Sequence, residues 1–152
     1  MKLSLDTDVA VELIRGVRPH YRLRLIEARQ AGATLHLSSI VLHELMYGAM
    51  ASARPEHHME LVDKLAAEME IHAWTPDDAI EAARLRAELR KAGVQIGSFD
   101  ALIAGHALNA GCTLVSGNVR EFIRVSGLPL LYWGDPAAPL DRAALMRRWT
   151  RK

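Results

Sequence analysis

The 152 residues, half of them apolar and 24% charged, suffice for one domain with a core and are too few for two. A formal net charge of +1 and a mean hydropathy near zero describe a globular chain rather than a polyelectrolyte, and no apolar run nears the ~18 residues of a membrane span. The acidic opening MKLSLDTDV lacks the apolar stretch of a secretory leader, and the single cysteine, Cys112, excludes an internal disulfide, so a cytoplasmic setting is expected.

Residues 2–5 alternate as a short strand that stops at Asp6. Thr7 or Asp8 then starts a helix that runs to Arg15 and ends before Gly16. Residues 20–31 form a second helix closed by Gly32, and Thr34–Leu37 a second strand. Ser38 or Ser39 caps a helix through Ala51. Pro55 opens another that reaches Glu70, with Val62, Leu65, Ala66 and Met69 on one face. Ile71–Trp74 reads as a strand, and Thr75-Pro76 starts a helix to Ala92 with Ala82, Leu85 and Leu89 as its inner stripe. Ser98 caps the small-residue helix FDALIAGHALNA, which ends at Gly111. Thr113–Ser116 is a strand, Val119–Arg124 a short helix or turn, and Leu130–Trp133 the last strand. The domain is expected over residues 1–134, with a tail, 135–152, folded over the surface and carrying a late helix from about Asp141. Strands alternating with helices predict an α/β chain, a three-layer α/β/α sandwich around a central parallel sheet. In such sheets function gathers at the carboxyl ends of the strands.

Acidic residues fall at those ends. Asp6 closes the first strand and Asp8 follows it, although a helix cap is the simpler use of Asp6 or Thr7. Glu44 lies in the apolar run Ile40–Tyr47, where a buried carboxylate needs a metal ion or a basic partner such as His43 or an arginine. Asp100 stands in the first turn of its helix, where the dipole favours negative charge. Gly105 and alanines 101, 104, 107 and 110 should let that helix pack closely on the sheet and hold Asp100 rigidly. Past Ser116, Asn118 and Glu121 offer further oxygen donors.

An all-oxygen set of this kind selects Mg²⁺ or Mn²⁺, and the chemistry it serves is phosphodiester hydrolysis. Arginine clusters at 15–29 and 142–152 would suit a polyanionic substrate, with plain solvation as the commoner use. The histidines, including His57, His58 and His106, are expected to be satisfied or solvated.

LDTDV, SSIVLHELMYGA, IGSFDALIAGHAL and LVSGNVREFIRVSGLPLLYW resemble, in order and spacing, the blocks of PIN-domain proteins of the VapC type, over residues 3–133. The resemblance implies a Mg²⁺- or Mn²⁺-dependent endoribonuclease, the toxin of a type II toxin–antitoxin pair. Its three acids match Asp6, Glu44 and Asp100; Asp8 stands where the motif usually has Asn, and Ser116 where Thr is frequent. No acid occupies 116–119, so Glu121 or Asn118 is left for the fourth position. NVREF resembles a subgroup that cleaves initiator tRNA. The likeness further implies a VapB-like antitoxin, whose helix lies in a groove, and a toxin homodimer; residues 55–70 could serve either contact, with core packing as their main use. Two other readings fit parts of the sequence. One is a PIN-fold binding module without catalysis. The other is an aspartate-nucleophile phosphotransferase, against which Ala10 stands where DxDx[TV] wants Thr or Val.

Overall fold

In a computed structural model that describes residues 1–150 (backbone only at Trp149), short apolar strands and capped helices alternate along the chain. They are β1 (Lys2–Leu5), α1 (Thr7–Arg15), α2 (Pro19–Gln30), β2 (Thr34–Ser38), α3 (Ser39–Met50), α4 (Pro55–Ala67) and β3 (Glu70–His72). There follow α5 (Pro76–Lys91), α6 (Ser98–Asn109), β4 (Thr113–Ser116), a 3₁₀ turn at Phe122–Arg124, β5 (Leu130–Tyr132), β6 (Leu140–Asp141) and α7 (Arg142–Thr150).

The helix starts follow from local chemistry. Asp6 caps α1 by accepting from the Thr7 N–H, Ser38 caps α3 through Val41, and Thr75 and Asp78 form a reciprocal capping box behind Pro76. Ser98 departs from expectation. The cap of α6 is Gly97, no side chain bonds the helix end there, and Ser98 is the first helical residue.

The strands form one sheet in the order β3-β2-β1-β4-β5-β6. All neighbours are parallel except β5 and β6. Leu3, Leu5, Leu37, Leu114 and Val115 are buried, as strands covered on both faces require. From β1 the chain builds outward to β2 and β3, then returns to place β4 on β1's other side. The order therefore reverses between β1 and β4, which opens a crevice at their carboxyl ends. Asp6 and Ser116 stand there.

Several boundaries moved: the helix expected to reach Glu70 ends at Ala67, which leaves Glu70 to the next strand. The strand expected at Ile71–Trp74 is Glu70–His72, because its register is set by β2, with His36 opposite Glu70. The Trp74 N–H goes instead to the Ser39 hydroxyl at 2.9 Å. The tail contributes more than a surface helix. β6 adds an antiparallel edge strand, Leu145 of α7 is buried, and the Arg142 guanidinium donates to the Leu128 and Ile123 carbonyls. Arg151 and Lys152, from the expected basic cluster, lie outside the described residues.

The early arginines are largely engaged in ion pairs. Arg22 and Arg29 both donate to Glu68, and Arg24 to Glu27. In residues 55–70, Val62 and Leu65 enter the core while Met59 and Met69 pack partly buried against it. No helix among the described residues is long and apolar enough to cross a membrane.

Candidate active site

Asp6 is the most constrained carboxylate of the crevice. Its backbone N–H donates to the Val115 carbonyl (2.9 Å), locking the end of β1 to β4. One carboxylate oxygen accepts from the Thr7 N–H (2.7 Å) and the other from the Ser116 hydroxyl (2.9 Å). The residue is 5% exposed. Burial, and then the neighbouring Asp8, push its carboxyl well above the ordinary carboxylate range. The capping use and the site use of Asp6 thus coexist: one oxygen faces the helix end, the other faces β4.

Asp8 is half-buried and accepts from the Gly117 N–H at 3.3 Å. A Cβ at Gly117 would lie 2.5 Å from the Tyr21 hydroxyl and 3.1 Å from an Asp8 oxygen. Glycine is what lets the β4 turn approach both groups. Tyr21 is buried, and its phenol is held above its ordinary range by burial and by Asp8.

Glu44 differs from expectation. It is half-buried rather than enclosed, since α3 exposes His43, Tyr47 and Met50 to solvent. Its partner is no base: the Thr7 hydroxyl donates to the Glu44 carboxylate. His43 points elsewhere, its ring 5.7 Å from that of Phe99.

Asp100 is half-buried in the first turn of α6. Its carboxylate folds back over Gly97, where a Cβ would come within 2.8 Å of its oxygen. Burial first, then Glu121, Glu44 and Asp8, push its carboxyl up to about 6. The charges of Glu121, Glu44 and Asp8 thus reach Asp100, and Asp8 in turn neighbours Asp6. Glu121 is half-buried at the start of the 3₁₀ turn. The Asn118 side chain is exposed, while its N–H donates to the Ser116 hydroxyl at 3.0 Å.

The donors are all oxygen, and like charges are held together at a half-buried edge. Such a set fits a hard divalent cation, which would offset the repulsion. The acids stand apart enough that none of their triads closes within 4.8 Å; among the described residues, only His36, Glu70 and His72 do so. That imidazole group, the Thr7–Glu44 bond and the two close-approach glycines escaped the sequence reading. Thr7 was visible only as a cap. The general expectation of satisfied or solvated histidines covers His36 and His72, and their placement on strands that could neighbour is the signal that would have joined them.

Beside the acids, Gly117, Asn118, Val119, Arg120, Tyr132, Leu145 and Arg148 line a cleft of about 280 Å³. Arg148 also pairs with Asp135 at 3.2 Å and stays largely exposed.

The PIN domain family model matches residues 3–128. The chain is 34% identical over 133 residues to the tRNA(fMet)-specific endonuclease VapC of Salmonella typhimurium, covering 88% of this chain and 98% of that protein. It is 35% identical to ribonuclease VapC2 of Rickettsia felis, with the same coverage. Among solved structures, the Rickettsia felis VapBC2 complex bound to promoter DNA superposes with a TM-score of 0.83 at 34% identity, over 88% of this chain and 99% of that one. The DNA-bound VapBC complex of Salmonella typhimurium gives 0.81, also at 34% identity, over 88% and 98%. Sheet order, the acids at the β1/β4 crevice and the match across nearly the whole chain lead to one conclusion: this protein belongs to the PIN-domain family and is related to the VapC proteins.

Proposed function

We propose that this protein is a Mg²⁺- or Mn²⁺-dependent endoribonuclease, the cytoplasmic toxin of a type II toxin–antitoxin pair, acting on tRNA. The observation that carries the reading is the crevice itself. A 5%-exposed Asp6 lies in one crevice with Asp8, Glu44, Asp100 and Glu121; burial, and then the charges of Glu121, Glu44 and Asp8, raise the Asp100 carboxyl to about 6. The similarity to proteins that are an endonuclease and a ribonuclease agrees with it. Membership in the PIN family displaces the phosphotransferase alternative.

Asp6, Glu44 and Asp100 would hold the cation, with Glu121 or Asn118 in the fourth position and Asp8 in support. When bound, the ion supplies a lowered pKa for water and stabilisation of charge on the phosphoryl oxygens. The chain's own residues do the positioning. The Ser116 hydroxyl and Thr7 N–H favour the ionised form of Asp6 against its burial and fix its rotamer, and the Thr7 hydroxyl aims Glu44. Arg120 and Arg148 present cations along the adjacent cleft, and Tyr132 an aromatic face, which suits a phosphate backbone and an unstacked base. A VapB-like antitoxin and a homodimeric toxin complete the proposal. The similar solved structures are VapBC complexes, which supports the antitoxin.

Tag-free protein, separated from any antitoxin and incubated with total tRNA, is expected to cut it with Mg²⁺ or Mn²⁺ and to stop on adding EDTA. Cleavage that resists EDTA removes the metal mechanism. RNA binding with no cleavage under either metal favours the non-catalytic binding module.

Ser116 carries a finer prediction. Ser116→Ala removes a donor to ionised Asp6 and should weaken Mn²⁺ binding by ~10–100-fold, as loss of a group that orients a metal ligand does. Ser116→Thr keeps the hydroxyl and should bind as the parent does. A Mn²⁺ titration followed by electron paramagnetic resonance distinguishes the two.

A further inference from the structure

On the far side of β1 from β4, β2 and β3 bring three donors to one face of the sheet. His36 lies opposite Glu70 in the parallel register, and His72 follows Glu70 by two residues, so all three share a face. One nitrogen or oxygen from each lies within 4.8 Å of the others. The imidazole rings of His36 and His72 are 4.2 Å apart, and His36 Nδ1 is 3.5 Å from a Glu70 oxygen.

Two features separate this group from an ordinary surface cluster. His36 is 2% exposed, and its Nδ1, on the side of Glu70, has no hydrogen-bond partner. Its other ring nitrogen, Nε2, is engaged by the Thr34 hydroxyl at 2.8 Å. With the proton on Nε2, donated to Thr34, a lone pair remains on Nδ1 beside a carboxylate. That is the arrangement by which a metal-ligating imidazole is held in one tautomer by a partner behind it. The spacing also fits. Ligands at ~2.0–2.1 Å around a tetrahedral ion stand ~3.3–3.5 Å from one another, close to the His36–Glu70 separation of 3.5 Å.

We propose that His36, Glu70 and His72 form a second metal site, which takes a borderline divalent transition ion of the Zn²⁺ class through two imidazoles and one carboxylate. Nitrogen donors set its preference apart from the all-oxygen crevice, since imidazole suits Zn²⁺ and Co²⁺ while Mg²⁺ keeps to oxygen. The Glu70 side chain is 66% exposed, which provides an entry path and leaves a fourth position to water. Behind the ligands, the His106 ring meets His72 edge-on at 5.5 Å and faces Asp78 at 3.2 Å. This histidine, expected to be satisfied or solvated, is buried; its Nδ1 faces the Asp78 carboxylate, and its Nε2 has no hydrogen-bond partner. An ion here would pin the edge strand β3 to β2, as a staple of the sheet rather than a participant in RNA cleavage.

The test is a Co²⁺ titration of tag-free, full-length protein in millimolar Mg²⁺, which saturates the oxygen crevice. One equivalent of Co²⁺ should bind with the intense visible absorption of a nitrogen-containing, four-coordinate site, and Zn²⁺ should displace it. Glu70→Gln, at an exposed position, and His72→Gln should each weaken binding ten-fold or more, and the rise in Tm with Zn²⁺ should vanish in both. Glu70→Gln should leave Mg²⁺-supported RNA cleavage unchanged, so the outcome is independent of the nuclease reading. A titration without those visible bands, or affinity unaltered in Glu70→Gln and His72→Gln, overturns the proposal.

Discussion

Asp100→Asn is expected to abolish RNA cleavage and, at the same time, to raise the stability of the metal-free protein. The two effects share one cause. Asp100 sits half-buried among Glu121, Glu44 and Asp8, and its carboxyl is pushed up to about 6 from 3.8. At neutral pH the folded chain therefore carries the cost of ionising it in a crowded, partly dry place. Asn removes that cost and the ligand together. With allowance for solvent screening at a half-exposed group, the gain is about 1 kcal/mol, or ~2–4 °C in Tm for a domain of this size. The loss of activity should be at least the ~100-fold that follows removal of a mere orienting partner.

The pH dependence has a definite sign. A carboxyl raised in the folded state contributes stability that is fully present below its unfolded pKa of 3.8 and lost as pH rises through about 6. In EDTA, the parent protein should gain stability relative to Asp100→Asn as pH falls from about 7.5 toward about 4. Adding Mg²⁺ at neutral pH should raise the parent's Tm, and Asp100→Asn should lose most of that rise. Thermal melts with and without EDTA, read beside tRNA cleavage, check each part. A Tm that falls on substitution, or cleavage that persists, contradicts the placement of Asp100. Asp6→Asn should also lose cleavage while still capping α1, because Asn caps helices as well as Asp does.

The second large effect is expected at Gly105. A Cβ there would lie 2.7 Å from both the Cα and Cβ of Ala82 and 2.8 Å from its backbone nitrogen. These are backbone atoms of α5 or directly attached to them, so nothing flexible can give way. Gly105→Ala should cost about 2 kcal/mol net, from overpacking less the ~1 kcal/mol that Ala adds in helix propensity. Gly105→Val should cost more and can leave the chain unfolded. Gly48→Ala is the control: it lies in α3 with nothing within 4 Å of its added Cβ, and should stabilise by up to about 1 kcal/mol. Chemical denaturation of the three variants decides this. Loss of activity in Gly105→Ala beyond its loss of stability would show that the α5–α6 contact also sets the position of Asp100.

The Gly105 contact corrects one part of the sequence reading. Small residues along α6 were expected to bring it close to the sheet. Ala101, Ala104 and Ala107 are indeed buried, but Gly105 faces the neighbouring helix α5. Periodicity identifies a narrow helix and its buried stripe, not which neighbour each small residue meets.

What local sequence determined is extensive. Caps at Asp6, Ser38 and Thr75, glycine stops at Gly16 and Gly111, and alternating helix and strand patterns carried the order of the helices and of β1 to β5, the layered α/β architecture and the strand-end position of Asp6, but not the edge strand β6. These are interactions among residues close in the chain, so they are written in short windows. Tertiary structure alone decided the rest. The reversal of strand order between β1 and β4, the Thr7–Glu44 and Asp6–Ser116 bonds, the half-exposure of Glu44 and the meeting of His36 with Glu70 and His72 all join residues far apart in sequence. Which carboxylates crowd one another depends on strand register and helix packing, and neither leaves a trace in the spacing of the residues themselves.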